Sequence, residues 1–372
     1  MESIEQMIKR LCPKGVECVK LGEVCDVLRG KRLTKKELFD DAQYKVFHGG
    51  LSPIGYYTKA NRQAQTVMVI NVGASAGTVG FCEEDFWSSD GCFCLSHNDS
   101  VIHPKYLYYY LAKHQISIQS RVRKAGIPTL DAGAVMDILI PLPPLEIQSR
   151  IVEVLDKMTT LTAELEAELE ARKQQYEYYR NKLLTFSEIG GDRQVAWKKI
   201  SEICVLKAGK AIKASELSDI KDSEHQYPCY GGNGIRGYIA KYSHEGRYAI
   251  IGRQGALCGC VNWVEGKFYA TEHAVVCTPK TLSDTRFLYF LFTNENLNRY
   301  KSQGAQPGLS VANLYNIMLP IPPLSEQQRI VSILDRFEAL TTDLQSGLPA
   351  EIEARRQQYE YYRNKLLTFD AV

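Results

Sequence analysis

The segment QQYEYYRNKLLTF occurs twice, letter for letter, at residues 174–186 and 357–369. A single compact core offers no two identical environments, so the chain must either supply two equivalent seats for this segment or pair its copies. The repeat extends upstream. IPLPPLEIQSRIVEVLD (140–156) matches LPIPPLSEQQRIVSILD (319–335), and VKLGEVCDVLRGKRL (19–33) aligns with KKISEICVLKAGKAI (198–212). HGGLSPIGYY (48–57) answers YGGNGIRGYI, INVGASAGTVGF (70–81) answers IGRQGALCGCVNW, and AGIPTLDAGAVMDILIP (125–141) answers GAQPGLSVANLYNIMLP. The chain is therefore one unit of roughly 180 residues used twice. That is far beyond the period of a solenoid and indicates duplicated domains.

Each unit has two parts of different character. The larger has short β-branched and aromatic runs (TVMVINV, RYAIIG, FYATEHAVV) broken by Gly, Pro, Asn and Ser, which predicts a strand-rich mixed domain. PKYLYYYLAKHQ and TRFLYFLFTNENLNRY predict one buried helix in each copy. The smaller part repeats apolar residues at helical spacing, Ile147, Ile151, Val154, Met158, Leu161, Leu165 and Leu169, continuing to Tyr176, Tyr179, Leu183 and Phe186. This predicts a long amphipathic helix with a coiled-coil-like stripe, with Ile330, Leu340, Tyr359, Tyr362 and Leu366 as its counterparts in the second copy. The expected layout is a first domain over 1–145, a helix over 146–186, a second domain over 187–323 and a second helix over 324–372. Ser325 and Gln328 form a capping-box pattern at the second start. The second helix carries Gly347 and Pro349, which predict a break or kink. The helices are near-identical while the globular parts have diverged, which points to one kind of partner bound twice and two different ligands.

Catalytic patterns are missing. There is no GxxxxGK[ST], no Asn/Asp-Pro-Pro-aromatic quartet, no HExxH and no GxSxG. The eleven cysteines include no CxxC and no histidine pair at zinc spacing, so no metal site is expected. His273, beside Glu272, reads as structural. No apolar run is long enough to span a bilayer and the opening residues do not resemble a signal peptide, so a cytoplasmic protein with reduced thiols is expected. Net charge is +2 for residues 1–145, +4 for 187–323 and −2 for each helical part. Basic side chains cluster at Arg29, Lys31, Arg32, Lys35 and Lys36, at Arg121, Arg123 and Lys124, at Lys207, Lys210 and Lys213, and at Arg299 and Lys301. Lysine and arginine suit phosphates, whereas Arg, Asn and Gln read base edges through paired hydrogen bonds. The candidate DNA contacts are Lys31, Arg32, Asn71, Ser75 and Lys124 in the first domain. In the second they are Lys210, Asn233, Arg236, Arg253, Gln254 and Gln306, many beside glycines that let a backbone approach a groove.

Two divergent domains, each followed by PPLxxQxxI and a long helix ending in QYEYYRNKLL, resemble the specificity subunit of a Type I restriction-modification system. The resemblance covers essentially the whole chain. It implies an α+β architecture in which two mixed α/β target recognition domains are joined by two long antiparallel coiled-coil-like helices, related by a pseudo-twofold internal repeat. It also implies a non-enzymatic reader of double-stranded DNA with a bipartite, asymmetric target. Two modification (methyltransferase) subunits would dock on the helices, which set the spacer, and restriction (translocase-nuclease) subunits would join them. AdoMet, ATP and Mg would sit on those partners and not on this chain. The alternatives are a silent or recombining copy of such a specificity gene, the recognition half of a self-contained restriction-methylation enzyme, and a structural coiled-coil scaffold.

Overall fold

The computed structural model describes residues 2–186, 195–255, 257–280, 283–302, 307–343 and 346–369. Two compact units emerge, one of Met1–Glu166 with Ile352–Val372 and the other of Ala167–Glu351. The boundaries fall inside helices, so the helical segments are shared between the units and do not stand as separate bodies.

The first unit runs through α1 (Ile4–Leu11), β1 (Cys18–Lys20), α2 (Leu21–Val24), β2 (Cys25–Arg29), β3 (Tyr44–Phe47), β4 (Gly55–Tyr57), β5 (Thr66–Ile70) and β6 (Val79–Cys82). It continues through β7 (Trp87–Ser88), β8 (Cys92–His97), α3 (Pro104–Lys113), α4 (Gln115–Ser120), α5 (Ala132–Met136) and β9 (Leu139–Pro141) into α6 (Leu145–Leu184). An antiparallel sheet of order β2-β8-β5-β6 stands beside a smaller one of order β4-β3-β7, in which β3 and β7 pair in parallel. β5 is apolar from Val67 to Ile70, where both its faces are covered. Val67 and Val69 join Tyr106, Leu107 and Leu111 of α3, while Met68 and Ile70 pack with Phe47 and Phe86.

The second unit repeats this plan in β10 (Ala196–Lys199), α7 (Ile200–Ile203), β11 (Cys204–Ala208), β12 (Tyr227–Gly231), β13 (Gly234–Ile239), β14 (His244–Gly252), β15 (Val261–Ala270) and β16 (Ala274–Pro279). α8 (Thr285–Glu295), α9 (Val311–Tyr315), β17 (Met318–Ile321), α10 (Leu324–Thr342) and α11 (Leu348–Leu366) follow. Here β15 runs unbroken through the stretch that corresponds to both β6 and β7, so one six-stranded sheet of order β11-β16-β14-β15-β12-β13 replaces two. No helix among the described residues is long and apolar enough to cross a membrane.

In each unit two helical segments pack antiparallel against the buried helix of the domain. In the first, Ile147, Ile151 and Leu155 of α6 share a core with Leu367, and Arg356 of α11 pairs with Glu166 at 2.5 Å. In the second, Leu184 joins Ile330 and Leu334, and Tyr179 stacks on Phe337 with centroids 5.6 Å apart. The twin segments thus occupy equivalent seats, one per unit. Tyr176 lies under Arg180 and Tyr359 under Arg363, each at 5.5 Å. Lys105 and Tyr109 bind Asp156 in the first unit, and Arg286 binds the equivalent Asp335 in the second.

The expected stripe needs correction. Ile151 and Ile330 are buried, and Leu165, Tyr176, Tyr179, Leu183, Tyr359 and Leu366 are half-buried. Leu161 and Leu340 are 39% exposed and Tyr362 is 37% exposed, so these three lie at the edge of the packing and not in a core. Leu161, Leu165 and Leu169, in the middle of α6, belong to neither domain core, and Leu184 at its end is buried again in the second. Leu184 and Leu367, one residue beyond the expected positions, carry the burial instead.

The helix starts do not use the expected capping box. Pro323 occupies the cap of α10 without a side-chain bond, and Ser325 lies inside the first turn. A fully buried glutamine clamps each start instead. Gln148 donates to the carbonyls of Pro143 and Val101 and accepts from the His103 N–H. Gln327 donates to Pro322 and accepts from the Asp284 N–H. His103 and Asp284 cap α3 and α8, so one side chain ties the spacer helix to the domain helix in each copy. The predicted break is present between α10 and α11. A Cβ on Gly347 would fall 2.7 Å from the Ala339 carbonyl oxygen, so only glycine allows the chain to turn so close to the preceding helix end.

Candidate nucleic-acid interface

Alternating strand directions place the end of β2, the end of β5 and the start of β8 at one end of the sheet. Backbone hydrogen bonds lace the loops there into a single frame. The Lys31 N–H donates to Ser88 O at 2.9 Å, Ser89 N–H to Phe47 O at 3.0 Å, and Asn71 N–H to Gly91 O at 3.3 Å. Gly73 N–H reaches Pro128 O at 2.9 Å and Leu130 N–H reaches Asn71 O at 2.8 Å. Arg123 and Thr129 exchange both backbone bonds, at 2.9 and 3.0 Å, closing a small hairpin.

The second unit rebuilds the same frame from different residues. Lys210 N–H donates to Ala270 O at 3.1 Å, Thr271 N–H to Tyr230 O at 3.0 Å, and Arg253 N–H to His273 O at 2.9 Å. Gly255 N–H reaches Pro307 O at 3.0 Å, Leu309 N–H reaches Arg253 O at 2.8 Å, and Ser302 N–H reaches Gly308 O at 2.9 Å. Lys31 thus corresponds to Lys210, Asn71 to Arg253 and Arg123 to Ser302. The backbone fixes the frame, and the side chains on it are free to differ.

Most of the predicted contacts lie on this frame. Lys31, Arg32, Lys124, Lys210, Asn233, Arg236 and Gln254 are exposed, while Ser75 and Arg253 are half-buried. The structure brings Asn233 beside Gln254: Asn233 sits in the β12–β13 turn, and a Cβ on the adjacent Gly232 would fall 2.5 Å from the Gln254 carbonyl oxygen. Gly252 packs as closely, with its would-be Cβ 2.0 Å from Gly232 O. Asn71 is a correction. At 1% exposure its side chain is inside the protein with Oδ1 unbonded, and only its backbone serves the frame. Gln306 lies outside the described residues.

The charge around the frame is mixed. Arg123 pairs with Asp131 at 3.0 Å, and His48 and His273 lie 3.3 and 3.2 Å from Asp90 and Glu272. Arg62, passed over in the sequence, supports the frame from beneath by donating to Asn61 O and Arg29 O. Burial pushes the Cys25 and Cys229 thiols up, to about 12 and about 11, which leaves them protonated and unreactive. No group of three or more metal-ligating side chains occurs among the described residues. The arrangement presents cations and hydrogen-bonding side chains on a hydrogen-bonded backbone, which suits binding.

A family model described as the Type I restriction modification DNA specificity domain matches residues 13–172 and 194–354. The chain belongs to that family. It carries the specificity domain twice, and each match covers one copy of the loop frame. The specificity subunit of the Type I restriction enzyme EcoprrI from Escherichia coli is 42% identical over 253 residues, spanning 64% of this chain and 62% of that protein. The EcoR124I/EcoR124II specificity subunit, also from E. coli, is 29% identical over 99% of this chain and 98% of its own length. The fold is that of the S subunit of a Type I restriction-modification system from M. genitalium, with a TM-score of 0.68 at 19% identity over 95% of this chain and 96% of that one.

Proposed function

We propose that the chain is the sequence reader of a Type I restriction-modification complex, each unit reading one half of a bipartite double-stranded DNA target. The observation that carries this is the shared loop frame, where equivalent backbone bonds in the two units display different side chains. Different readers on a common scaffold are what an asymmetric target requires. Lys31 and Lys210 hold phosphates, while Arg253, Gln254, Asn233 and Arg236 address base edges in the second half-site.

The paired helices are docking sites for two modification subunits. The twin segments support this, because Tyr178 and Tyr361 hold the same place in each and are 59% and 61% exposed. Methyl transfer, ATP-driven translocation and cleavage belong to the partner subunits, with AdoMet, ATP and Mg bound there, and the complex works in the cytoplasm. The test is methylome mapping of cells expressing the chain with its modification partner, then with residues 187–323 replaced by a foreign recognition domain. One half of the methylated motif should change and the other should stay. A motif changed in both halves, or no methylated motif with the intact chain, would overturn the proposal.

A further inference from the structure

The hairpin spanning residues 123–129 carries at its tip Ile127, which is 71% exposed. A single exposed isoleucine needs no explanation, but this one stands at the tip of a loop that several bonds hold on the frame. Arg123 and Thr129 close the hairpin with two backbone bonds, and Gly73 N–H anchors Pro128 O from the neighbouring loop. The Thr129 hydroxyl donates to the Ile127 carbonyl at 2.9 Å, and Pro128 fixes the backbone that follows. The β-branched side chain is itself restricted at χ1. An aliphatic group is therefore held rigidly in water, beside the exposed Arg123 and Lys124, on the face assigned to DNA.

We infer that Ile127 is a specificity-determining residue that reads the C5-methyl group of one thymine in the half-site of the first unit; the inference rests on the proposed function. Two features fix the chemistry. A short loop closed by one backbone bridge, with its aliphatic side chain at the tip, has room in the major groove, about 12 Å wide, and is crowded in the minor groove, about 6 Å wide. In the major groove the thymine methyl is the apolar mark that an aliphatic side chain can recognise. Lys124, exposed on the loop, faces a phosphate that flanks it. In the sequence of the second copy, the residue before the corresponding proline is a glutamine, so the second half-site is read there by other chemistry.

The experiment measures binding of the chain, assembled with its modification subunits, to duplexes in which each thymine of the first half-site is replaced in turn by deoxyuridine. Loss of one buried methyl contact should weaken binding about fourfold at one position. Ile127→Ala should bind thymine and deoxyuridine equally at that position and keep full sequence dependence in the second half-site, which also shows that the variant is folded. Indifference of the intact chain to every deoxyuridine would overturn the inference, as would a deoxyuridine effect that persists in Ile127→Ala. A uniform loss across all duplexes would also overturn it, assigning Ile127 to wedging between bases. If the intact chain shows no sequence preference at all, the proposed function fails and not this residue's role alone.

Discussion

Removing the Gln148 clamp gives the most direct measure of what joins the spacer helix to the first domain. Gln148 is fully buried and satisfies three backbone groups, the carbonyls of Val101 and Pro143 and the N–H of His103. Gln148→Met keeps the volume and strands all three. Each stranded buried group costs about 1–3 kcal/mol; carbonyls with a second lone pair lie at the low end and the N–H near the top, so the expected loss is about 3–5 kcal/mol. Against a domain stability of about 5–15 kcal/mol, that is a large fraction. Trp87 belongs to the first unit, whereas Trp197 and Trp263 belong to the second. In a Trp197→Phe, Trp263→Phe background, Trp87 fluorescence therefore follows the first unit alone. With a urea slope of about 1–3 kcal/mol per molar, the midpoint should fall by at least about 1 M with the slope unchanged. Gln148→Glu should be no better, because it sets a buried carboxylate against two carbonyl oxygens. A loss below about 0.5 kcal/mol in Gln148→Met would show that packing, and not the hydrogen bonds, holds the junction.

Other perturbations separate the roles on the reading face. Arg253→Ala should relax discrimination at one base position at about 1–3 kcal/mol, whereas Lys210→Ala should weaken all sequences alike and flatten the salt dependence; titrations at several salt concentrations tell these apart, and identical behaviour would reject the division. Gly252→Ala should force the β12–β13 turn off its neighbour and blur the second half-site in methylome maps while sparing the first. Inserting a TAEL-like unit after Leu169 adds about 6 Å and a little more than one full revolution to α6, and should widen the unread spacer by one or two base pairs; an unchanged spacer would show that the helices do not set it. Burial holds the His103 ring below its usual range, as its acceptor bond from the Lys105 N–H requires. The folded state thus binds that proton less well than the unfolded chain, so stability should drop as pH falls below about 6.5. In Trp87-monitored denaturation, His103→Asn should remove that part of the drop.

The duplication, the long helices and the break at Gly347 were legible because they are written in local pattern: identity, helical periodicity and a helix-breaking glycine. The stripe misled in the middle of α6 and near the end of α10 because periodicity marks an apolar face without saying how much of it a neighbour covers, hence the exposed Leu161 and Leu340. The loop frame was invisible for a different reason. It is made of backbone groups from segments about fifty residues apart, and backbone bonding leaves almost no trace in side-chain identity; the glycines at 73 and 255 were the faint signal. Asn71 shows the same limit, since a polar residue beside a glycine looks exposed in sequence and is buried here. The glutamines at 148 and 327 were available as buried polar residues repeated at the same distance after a proline pair, but polar repeats read more naturally as surface.

Because the first unit is built from both ends of this sequence, its order of assembly during synthesis is inverted. The core formed around Ile147 and Ile151 needs Leu367, and Tyr359 and Leu366 pack against it. A growing chain therefore emerges with its first recognition domain complete in sequence but lacking a helix, and that groove stays uncovered while residues 167–351 are made. The second unit, contiguous in the chain, has every residue it needs first. Translation thus closes the molecule back to front, and a nascent chain stalled before residue 352 would present one finished reader and one with its helix seat empty.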